Sequence, residues 1–330
     1  MPVTLRGMRA FVTGGTGFIG SRVIKRLRSR GDEVVALVRT PGKATELLDA
    51  GAELVEGDLS SEEAIKRGIE AADGVFHIGA VYKVGIPKKE QRAMWDANVA
   101  GTRRILDAAE AAGVKRIIYV STGNVFGDTK GQVVDETYQR NLGDGFLSYY
   151  DETKYRSHEL VSERIGQGAP IIIVQPGVTY GPGDHSEIGN MIDQMRSGKL
   201  KMRMFPAARF NFVFVDDVAD GIILAYDKGK IGESYLLGGQ VASMDDFFTK
   251  ASQRLGKTPP RMALPVAVAR ASAPLGPMIG PLMGFPPNMK ELVRTSDVTI
   301  TFRDDKARSE LGYDGRSFDE GLDQTVTPQP

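Results

Sequence analysis

The sequence predicts an α/β protein built on a doubly wound, Rossmann-type parallel sheet, with a smaller C-terminal lobe. Two observations carry this prediction. Apolar strand-like runs alternate with helical patterns through the first 176 residues, and a glycine-rich turn joins the first strand to the first helix. Alternation of this kind places parallel strands in one sheet with helices on both of its faces.

The predicted elements follow one another at short spacings. Beyond Pro176 the pattern loosens, and residues 177–184 are predicted to be a loop before strands and a helix return. The helices near 90–112 and 149–166 are the longest, and each shows an apolar stripe. The predicted strands are Arg9–Thr13, Glu33–Val38, Glu53–Glu56, Gly74–Ile78, Arg116–Ser121, Ile171–Gln175, Asn211–Val215 and Ser234–Leu237, and the predicted helices lie near 17–30, 41–50, 60–71, 90–112, 149–166 and Asp217–Tyr226.

We expect two structural units. Residues 1–176 form the sheet-based domain and 211–240 return to it, whereas 177–210 and 241–330 form the smaller lobe, which we expect to bind substrate. Prolines recur from 258 to 287 among apolar residues and break any membrane span of about 20 residues. This segment is either a wall over an apolar substrate or plain packing between the lobes.

Composition excludes several classes of function. The 330 residues contain 42 Lys plus Arg and 42 Asp plus Glu, so no global field attracts a nucleic acid. The chain has no cysteine, which excludes disulfides, thiol nucleophiles and cysteine metal sites and fits a reducing cytoplasm. Its N-terminus has no signal-like apolar run. We therefore expect a cytoplasmic protein that binds neither nucleic acid nor membrane.

The turn Thr13-Gly-Gly-Thr-Gly-Phe-Ile-Gly20 has the geometry that holds a dinucleotide pyrophosphate. Gly14 permits the sharp turn, Gly17 lets the backbone approach a phosphate, and Gly20 allows close packing of helix on strand. Unpaired N–H groups and the positive dipole end of the helix face the anion. The predicted cofactor contacts in this turn are Gly14, Thr16, Gly17, Phe18 and Ile19.

The second strand ends at Arg39, where an acidic residue would bind the ribose 2′-hydroxyl of NAD. The guanidinium of Arg39, with Lys43 nearby, suits a 2′-phosphate instead. We therefore expect NADP(H) to be preferred, with NAD(H) possible. The alternative is that Arg39 is only a solvated loop cation.

Further candidate contacts lie where the third and fourth strands end. Asp58, beside Leu59, either accepts from an adenine amino group or caps the next helix. Ala80 lies where a cofactor must pass close to the backbone. His77 is expected to be structural. None of the three histidines has a partner at metal-ligand spacing, so we predict no metal site.

Candidate catalytic residues open the helix near 149–166. Tyr150 and Lys154 are four residues apart, which puts both on one helix face. A tyrosine holds its proton to about pH 10, and a neighbouring cation such as Lys154 can stabilise its phenolate. Ser121 and Thr122 leave the fifth strand at its C-terminal end, where ligands bind in doubly wound sheets. A hydroxyl there can meet substrate together with Tyr150.

These residues resemble the extended short-chain dehydrogenases/reductases, also called the NAD-dependent epimerase/dehydratase family. The resemblance implies that Tyr150 is the acid/base, that Lys154 binds the nicotinamide ribose and lowers the tyrosine pKa, and that Thr122 hydrogen-bonds the reacting oxygen. Asn98 either helps to hold the active-site helix or a water relay, or only bonds within its own helix. The matching motifs are Thr13-Gly-Gly-Thr-Gly-Phe-Ile-Gly20, Gly57-Asp58-Leu59, Asn98-Val-Ala-Gly-Thr102, Ser121-Thr122, Tyr150-x-x-x-Lys154, Pro176-Gly-Val-Thr-Tyr-Gly-Pro-Gly-Asp184, Phe214-Val-Asp-Asp217 and Leu311-Gly-Tyr313.

We add Ser121, Tyr150, Lys154, Pro176 and Val178 to the candidate cofactor contacts. Two long helices of the resembled family pack two subunits together, so the resemblance implies a homodimer. Candidate substrate walls include Val81, Tyr82, Lys83, Asn124, Thr179, Tyr180 and the run around Met278–Phe285.

The branch within the family is indicated by departures from its sugar-nucleotide members. Those enzymes usually have an acidic residue after the second strand and an arginine where this chain has Phe210, with Arg209 one step away. Gly123 and Asn124 follow Thr122, where dehydratases tend to place acidic residues. The chain looks more like the dihydroflavonol reductase type. We expect an NADP(H)-dependent carbonyl reductase or alcohol dehydrogenase acting on a small to medium, partly apolar substrate. The alternatives are a sugar or nucleotide-sugar epimerase/dehydratase with bound NAD and a non-catalytic dinucleotide sensor.

Overall fold

A computed structural model describes residues 7–263, 289–295 and 297–327. The predicted wall at Met278–Phe285 lies outside these residues. The described strands are β1 (Arg9–Thr13), β2 (Glu33–Val38), β3 (Glu53–Glu56), β4 (Gly74–His77), β5 (Arg116–Val120), β6 (Val133–Val134), β7 (Ile171–Pro176), β8 (Val178–Tyr180), β9 (Met202–Arg203), β10 (Arg209–Phe214), β11 (Ser234–Leu237), β12 (Gln240–Ser243), β13 (Met262–Ala263) and β14 (Thr299–Phe302). The described α-helices are α1 (Gly20–Ser29), α2 (Thr45–Asp49), α3 (Glu62–Ile69), α4 (Lys88–Trp95), α5 (Gly101–Ala111), α6 (Tyr149–Gly166), α7 (Glu187–Arg196), α8 (Val215–Lys228), α9 (Met244–Arg254), α10 (Met289–Arg294) and α11 (Phe318–Val326).

Seven parallel strands form the main sheet, in the order β11-β7-β5-β4-β1-β2-β3. The order changes direction at β1 and β4, as in doubly wound sheets that bind ligands at this edge. The predicted Rossmann-type α/β fold is therefore confirmed.

Helices cover both faces of the main sheet because successive strand residues, which point to opposite faces, are apolar. On one face α1 and α8 pack against inward residues such as Val12, Ile118 and Val174. On the other face α3, α5 and α6 pack against residues such as Phe11 and Ile117. Burying each such side chain contributes about 1.5–3 kcal/mol, so the sheet needs both helical layers.

The helix predicted near 90–112 is divided into α4 and α5 by a π-helical turn at Asp96–Ala100. Asn98 in this turn donates its side-chain amide to Val81 O and Thr153 Oγ1, each at 3.0 Å, and accepts from Val81 N at 2.7 Å. Its amide thus ties the loop after β4 to α6. π-Helical turns of this kind are frequent at functional sites. The long-range contacts of Asn98 have no counterpart in the helical periodicity of the sequence.

The first half of α6 buries a polar face, which contradicts the predicted apolar stripe. Thr153, Lys154 and Ser157 are buried there, and the apolar residues Leu160 and Val161 follow only in the second half. Buried polar groups are kept where they have partners. The polar half lies against the C-terminal ends of the strands, where the candidate site is found.

A second sheet contains β12, β10, β14 and β6, with β8 paired to β10. Two expectations were wrong here. Residues 178–180, predicted to be loop, form β8, whose Val178 pairs with Phe212. The strand predicted at Asn211–Val215 belongs to this second sheet and not to the main one, whereas α8 and β11 after it do pack in the main layer. Strand propensity does not reveal which sheet a strand joins.

The core of the second sheet is aromatic. Phe212 stacks on Phe247 with centroids 5.6 Å apart, and Tyr180 meets Phe214 and Phe318 edge to face. Aromatic contacts of this kind add about 0.5–1.5 kcal/mol to the burial of their area. They hold α9 and α11 against β10.

Two adjacent aspartates at the start of α8 bind this helix to neighbouring segments. Asp216 accepts from Arg26 of α1 at 3.1 Å. Asp217 is 5% exposed and accepts from the backbone N–H of Arg316 at 2.9 Å and from its guanidinium at 2.7 Å. The guanidinium of Arg316 also lies 4.2 Å from the centre of the Phe214 ring. Asp217 therefore joins α8 to the segment before α11.

Replacing Asp217 by Ala should lower the free energy of unfolding by about 2–4 kcal/mol, because the variant removes a buried carboxylate that binds the backbone N–H and the half-buried guanidinium of Arg316. The matched control is Asp220→Ala on the same helix. Asp220 pairs with Arg26 but is largely exposed, so its loss should cost under about 1 kcal/mol. Urea denaturation of both variants measures the difference, and equal losses would contradict this role of Asp217.

Candidate functional site

Candidate residues from six strands meet at one edge of the main sheet. The strands are parallel, so the segments after β1, β2, β3, β4, β5 and β7 lie along the same edge. The sequence-predicted residues gathered there are Gly14, Arg39, Asp58, Ala80, Thr122 and Pro176. Their assembly at this edge follows from the topology.

The glycine turn is tightly built. Gly14 has φ +75°, and a Cβ added to it would lie 2.7 Å from the backbone of Gly79 after β4. Gly17 N donates to Gly14 O at 2.9 Å. A Cβ on Gly20 would overlap Gly14 O, so α1 packs directly on the turn. Gly14 and Gly20 are therefore required by backbone contacts.

The N-terminus of α1 is suited to an anion. Thr16 and Gly17 are exposed, and Phe18 and Ile19 are half-buried. The N–H groups of Phe18 and Ile19 have no acceptor within the described ranges, and the first turn of α1 has no acidic residue. Free donors at a positive helix end form an anion site. The turn thus fits the pyrophosphate of a dinucleotide.

Arg22 supports this turn and was missed by sequence reasoning. Its guanidinium donates to Phe18 O at 2.8 Å and to Pro182 O, 160 residues away, at 2.6 Å. It also lies over the Phe18 ring at 4.8 Å. Arg22 therefore joins the turn to the loop after β8. A basic residue near a helix start gives no signal of such a distant partner.

The ends of β2 and β3 place Arg39 near Asp58. Arg39 is exposed, and its charge contributes to lowering the pKa of Asp58, although hydrogen bonds from Ser60 are the main cause. Asp58 Oδ1 accepts from Ser60 N at 2.8 Å and from Ser60 Oγ at 2.6 Å. These bonds form a turn before α3 and do not cap it, because the N-cap residue of α3 is Ser61. Leu59 is half-buried and lies against Gly101 at the start of α5.

Ala80 is exposed beyond β4, above a buried histidine network. His77 Nδ1 lies 2.7 Å from Thr13 Oγ1, and His77 Nε2 lies 3.0 Å from Thr102 Oγ1. Thr13 accepts from Gly79 N and Thr102 donates to Asn98 O, so the ring accepts at Nδ1 and donates at Nε2. Burial and the Lys154 charge lower the pKa of His77 to about 3, which keeps the ring neutral.

The two hydroxyls that follow β5 have different surroundings. Thr122 is half-buried and its Oγ1 accepts from Asn124 N at 3.2 Å, capping a short helical turn at Gly123–Phe126. Ser121 is buried and lies 3.1 Å from His158 Nδ1 of α6. Of the two, Ser121 therefore belongs to the layer between the sheet and α6. Pro176 ends β7, and Val178 begins β8 beside Phe212.

Tyr150 lies in an apolar cluster with Ile86 and Met94, and half-buried Val81 packs against them. The Tyr82 ring meets Tyr150 edge to face, with centroids 4.7 Å apart. Burial, followed by the charges of Asp151 and Glu187, raises the pKa of Tyr150 well above its usual value. The phenol is thus protonated at neutral pH and can donate a proton.

Lys154 is buried with neutral oxygen partners. Its Nζ donates to Val120 O at 3.0 Å and to Tyr119 Oη at 3.4 Å. Burial lowers the pKa of Lys154 to about 7. Lys154 is not among the groups that shift the pKa of Tyr150, so the lowering of the tyrosine pKa implied by the family resemblance is not seen in this structure.

Two further acidic residues near Tyr150 were missed from the sequence. Asp151 forms a bidentate ion pair with Arg140, with both bonds at 2.7 Å and both side chains buried. This pair holds the loop before α6 against its first turn. Burial, followed by the charge of Glu187 at the start of α7 and hydrogen bonding to it, raises the pKa of Tyr82. The sequence around Asp151 and around Glu187 is that of ordinary surface segments, so it does not indicate either contact.

Within residues 7–263, 289–295 and 297–327, no group of three or more His, Cys, Asp or Glu side chains could hold a metal ion. None of the helices in these ranges is long and apolar enough to cross a membrane.

Comparison with known proteins gives concordant results. The model of the NAD dependent epimerase/dehydratase family matches residues 10–238. The chain is 32% identical over 324 residues to the 4-hydroxy-2-methyl-3-oxo-4-farnesyl-3,4-dihydroquinoline-1-oxide ketoreductase of Stigmatella aurantiaca, covering 96% of this chain and 95% of the relative. The crystal structure of gox2253 is similar with a TM-score of 0.82 at 33% identity, covering 96% of both chains. DesIV, the dTDP-glucose 4,6-dehydratase of Streptomyces venezuelae with NAD and TYD bound, is similar with a TM-score of 0.79 at 25% identity, covering 97% of this chain and 96% of DesIV.

Proposed function

Because the chain belongs to the NAD-dependent epimerase/dehydratase family, and is thus an NAD(P)-dependent oxidoreductase of the short-chain dehydrogenase/reductase type, we propose that it is an NADP(H)-dependent carbonyl reductase or alcohol dehydrogenase. The proposed substrate is a small to medium, partly apolar ketone, aldehyde or alcohol. The observation that carries this proposal is the protonated Tyr150 phenol, held among apolar side chains one helical turn from Lys154.

Reduction of a carbonyl needs an acid at the oxygen and a hydride at the carbon. A bound nicotinamide would supply the hydride, or accept it in the reverse reaction. Tyr150 donates its proton to the oxygen, and Thr122 hydrogen-bonds the same atom. Lys154 would contact the cofactor ribose and restore the proton of Tyr150. General acid catalysis of this kind contributes roughly 10²–10⁴-fold, and orientation by the site adds more.

The cofactor turn and Arg39 support NADP(H). The free N–H groups of Phe18 and Ile19 suit the pyrophosphate, and Gly14, Thr16 and Gly17 surround them. Arg39 offers an exposed guanidinium at the end of β2, where a 2′-phosphate would be bound. Other proposed contacts come from the following strands and from α6, and they are Asp58, Leu59, Ala80, Ser121, Tyr150, Lys154, Pro176 and Val178.

Two observations favour a carbonyl substrate over a nucleotide sugar. Phe210 packs into the aromatic core of the second sheet, and the exposed Arg209, its neighbour in β10, lies on the opposite face of the strand. An arginine for a diphosphate is thus absent at the Phe210 position. The similarity of the chain to the ketoreductase of Stigmatella aurantiaca also supports carbonyl reduction as its reaction.

The likeness to DesIV keeps a nucleotide-sugar epimerase or dehydratase with bound NAD as the second candidate. The homodimer expected from the family resemblance stays a prediction.

Replacing Tyr150 by Phe should reduce kcat/KM about 10²–10⁴-fold, since it removes the acid, and should leave cofactor affinity nearly unchanged. The matched control is Tyr149→Phe on the adjacent, partly buried residue, which should change turnover much less. Absorbance at 340 nm with a panel of ketones, aldehydes and alcohols measures both. Equal activity of Tyr150→Phe and the parent would refute the role, and dinucleotide binding without turnover of any substrate would favour a sensor.

Arg39→Ala should raise the KM for NADPH about 10–100-fold, because a charge-assisted contact is worth about 1.5–3 kcal/mol. The KM for NADH should change less than about twofold, which makes NADH the control within one variant. A preference for NADH in both parent and variant would contradict the NADP(H) assignment.

Cofactor binding should take up a proton near pH 7. Lys154 in the free protein has a pKa of about 7, and contact with ribose hydroxyls near a pyrophosphate favours its charged form. A raised pKa in the complex means that affinity is greatest below pH 7 and falls as the pH rises through 7. Calorimetry in two buffers of different ionisation enthalpy measures the uptake, which should vanish in Lys154→Met. Proton release on binding would contradict this contact.

A further inference from the structure

A buried carboxylate on α10 binds the loop that lies against Tyr150. We propose that Glu291 is a positioning residue of the substrate site, because it holds residues 82–86 in place beside Tyr150. The proposal rests on the proposed function, since it concerns the wall against which a carbonyl substrate would lie. It gives a role to α10, a helix in which no site residue was expected from the sequence.

The contact joins parts of the chain that are 206 residues apart. Gly85 N donates to Glu291 Oε2 at 2.8 Å, and both residues are buried, with Glu291 7% exposed. A buried backbone N–H needs an acceptor, and a carboxylate is a stronger acceptor than a carbonyl. A buried carboxylate is in turn kept where donors bind it. The bond therefore fixes Gly85 more firmly than a contact at the surface would.

The same loop has a second anchor near its start. Asn98 accepts from Val81 N at 2.7 Å and donates to Val81 O at 3.0 Å. Asn98 lies in the π-helical turn before α5, whereas Glu291 comes from α10. Residues 82–84 lie between these two anchors. The position of Tyr82 is therefore defined only while both anchors hold.

The anchored segment contacts Tyr150 on both sides of Gly85. Before it, the Tyr82 ring meets the Tyr150 ring edge to face, with centroids 4.7 Å apart. After it, Ile86 is 6% exposed and belongs to the apolar cluster of Tyr150 and Met94. Tyr82 itself is 48% exposed, so it keeps surface that a substrate can contact. The anchor at Gly85 thus determines how this wall lies against the proposed acid.

A separate contact connects α10 with the loop before α6. Arg294 Nη1 donates to Phe146 O at 3.0 Å. The Phe146 ring in turn packs on the Arg140 guanidinium, which lies 4.7 Å from the ring centre. The helix α10 therefore contacts both loops that flank Tyr150. Loss of the buried carboxylate leaves this second contact intact, so α10 should remain in position.

Glu291→Ala should raise the KM for the carbonyl substrate about tenfold, because the wall loses an anchor while Tyr150 stays on its own helix. By the same reasoning kcat should change less than about threefold, and the KM for the cofactor less than about twofold. Glu291→Gln keeps an oxygen that can accept from Gly85 N, so its KM should stay within about threefold of the parent. Steady-state absorbance at 340 nm measures these constants.

Hydrogen exchange followed by mass spectrometry tests the contact without any substrate. In Glu291→Ala the Gly85 amide should exchange about 10–100-fold faster, because its charged acceptor is lost, whereas the amides of the main sheet should not change. The matched control is Glu90→Ala, which removes a partly exposed carboxylate 3.7 Å from Lys83 Nζ in the same loop. This control should leave both the exchange of Gly85 and the KM unchanged.

An unchanged KM in Glu291→Ala would overturn the positioning role, whether or not Gly85 exchanges faster. Faster exchange throughout the main sheet, with kcat and both KM values impaired together, would overturn it too, since this indicates a general loss of stability. A Glu291→Gln variant as impaired as Glu291→Ala would also contradict it. Tyr150→Phe keeps the two proposals distinguishable: full activity there would refute the proposed function, whereas its inactivity together with an unaffected Glu291→Ala would refute only the positioning role.

Discussion

The burial of the Lys154 ammonium is the constraint on which the arrangement of this site depends. A buried amine with neutral partners loses much of its preference for the charged form, and its pKa falls to about 7. The surrounding layer must therefore be polar. The carbonyl of Val120, the hydroxyls of Tyr119 and Ser157 and the buried polar half of α6 meet that requirement. After this polar half, the buried residues of α6 are the apolar Leu160 and Val161.

Tyr150 has the opposite environment, although it lies on the same face of α6. Its ring packs on Ile86 and Met94, and burial with nearby carboxylates holds its proton. The pair thus has one group that keeps its proton at neutral pH and one that changes charge near pH 7. Environments that drive two titratable groups apart in pKa are typical of acid/base sites.

Hydrogen bonds and ion pairs connect the cofactor turn with segments of the second sheet. Arg22 connects the turn after β1 to Pro182 beyond β8, and Asp216 and Asp217 connect α8 to α1 and to Arg316. The bonds of Arg22 and Asp217 join helices of the main sheet to segments around the second sheet, whereas the Asp216–Arg26 pair joins two helices on one face of the main sheet.

The sequence by itself identified the glycine turn and each of the seven strands of the main sheet as a strand, because these follow from local periodicity and from backbone space that only glycine leaves open, but it also assigned the strand at Asn211–Val215 to that sheet. It identified Tyr150 and Lys154 by their spacing and Thr122 by its position at the end of the fifth strand. The tertiary structure alone decided the pairing of β8 and β10 in a second sheet, the π-helical turn at Asn98 and the polar layer from His77 to His158. Each of these depends on partners far apart in the chain, such as Thr13 and His77, which are 64 residues apart. Local patterns describe which face a residue occupies, and only the folded chain specifies which partner it meets there.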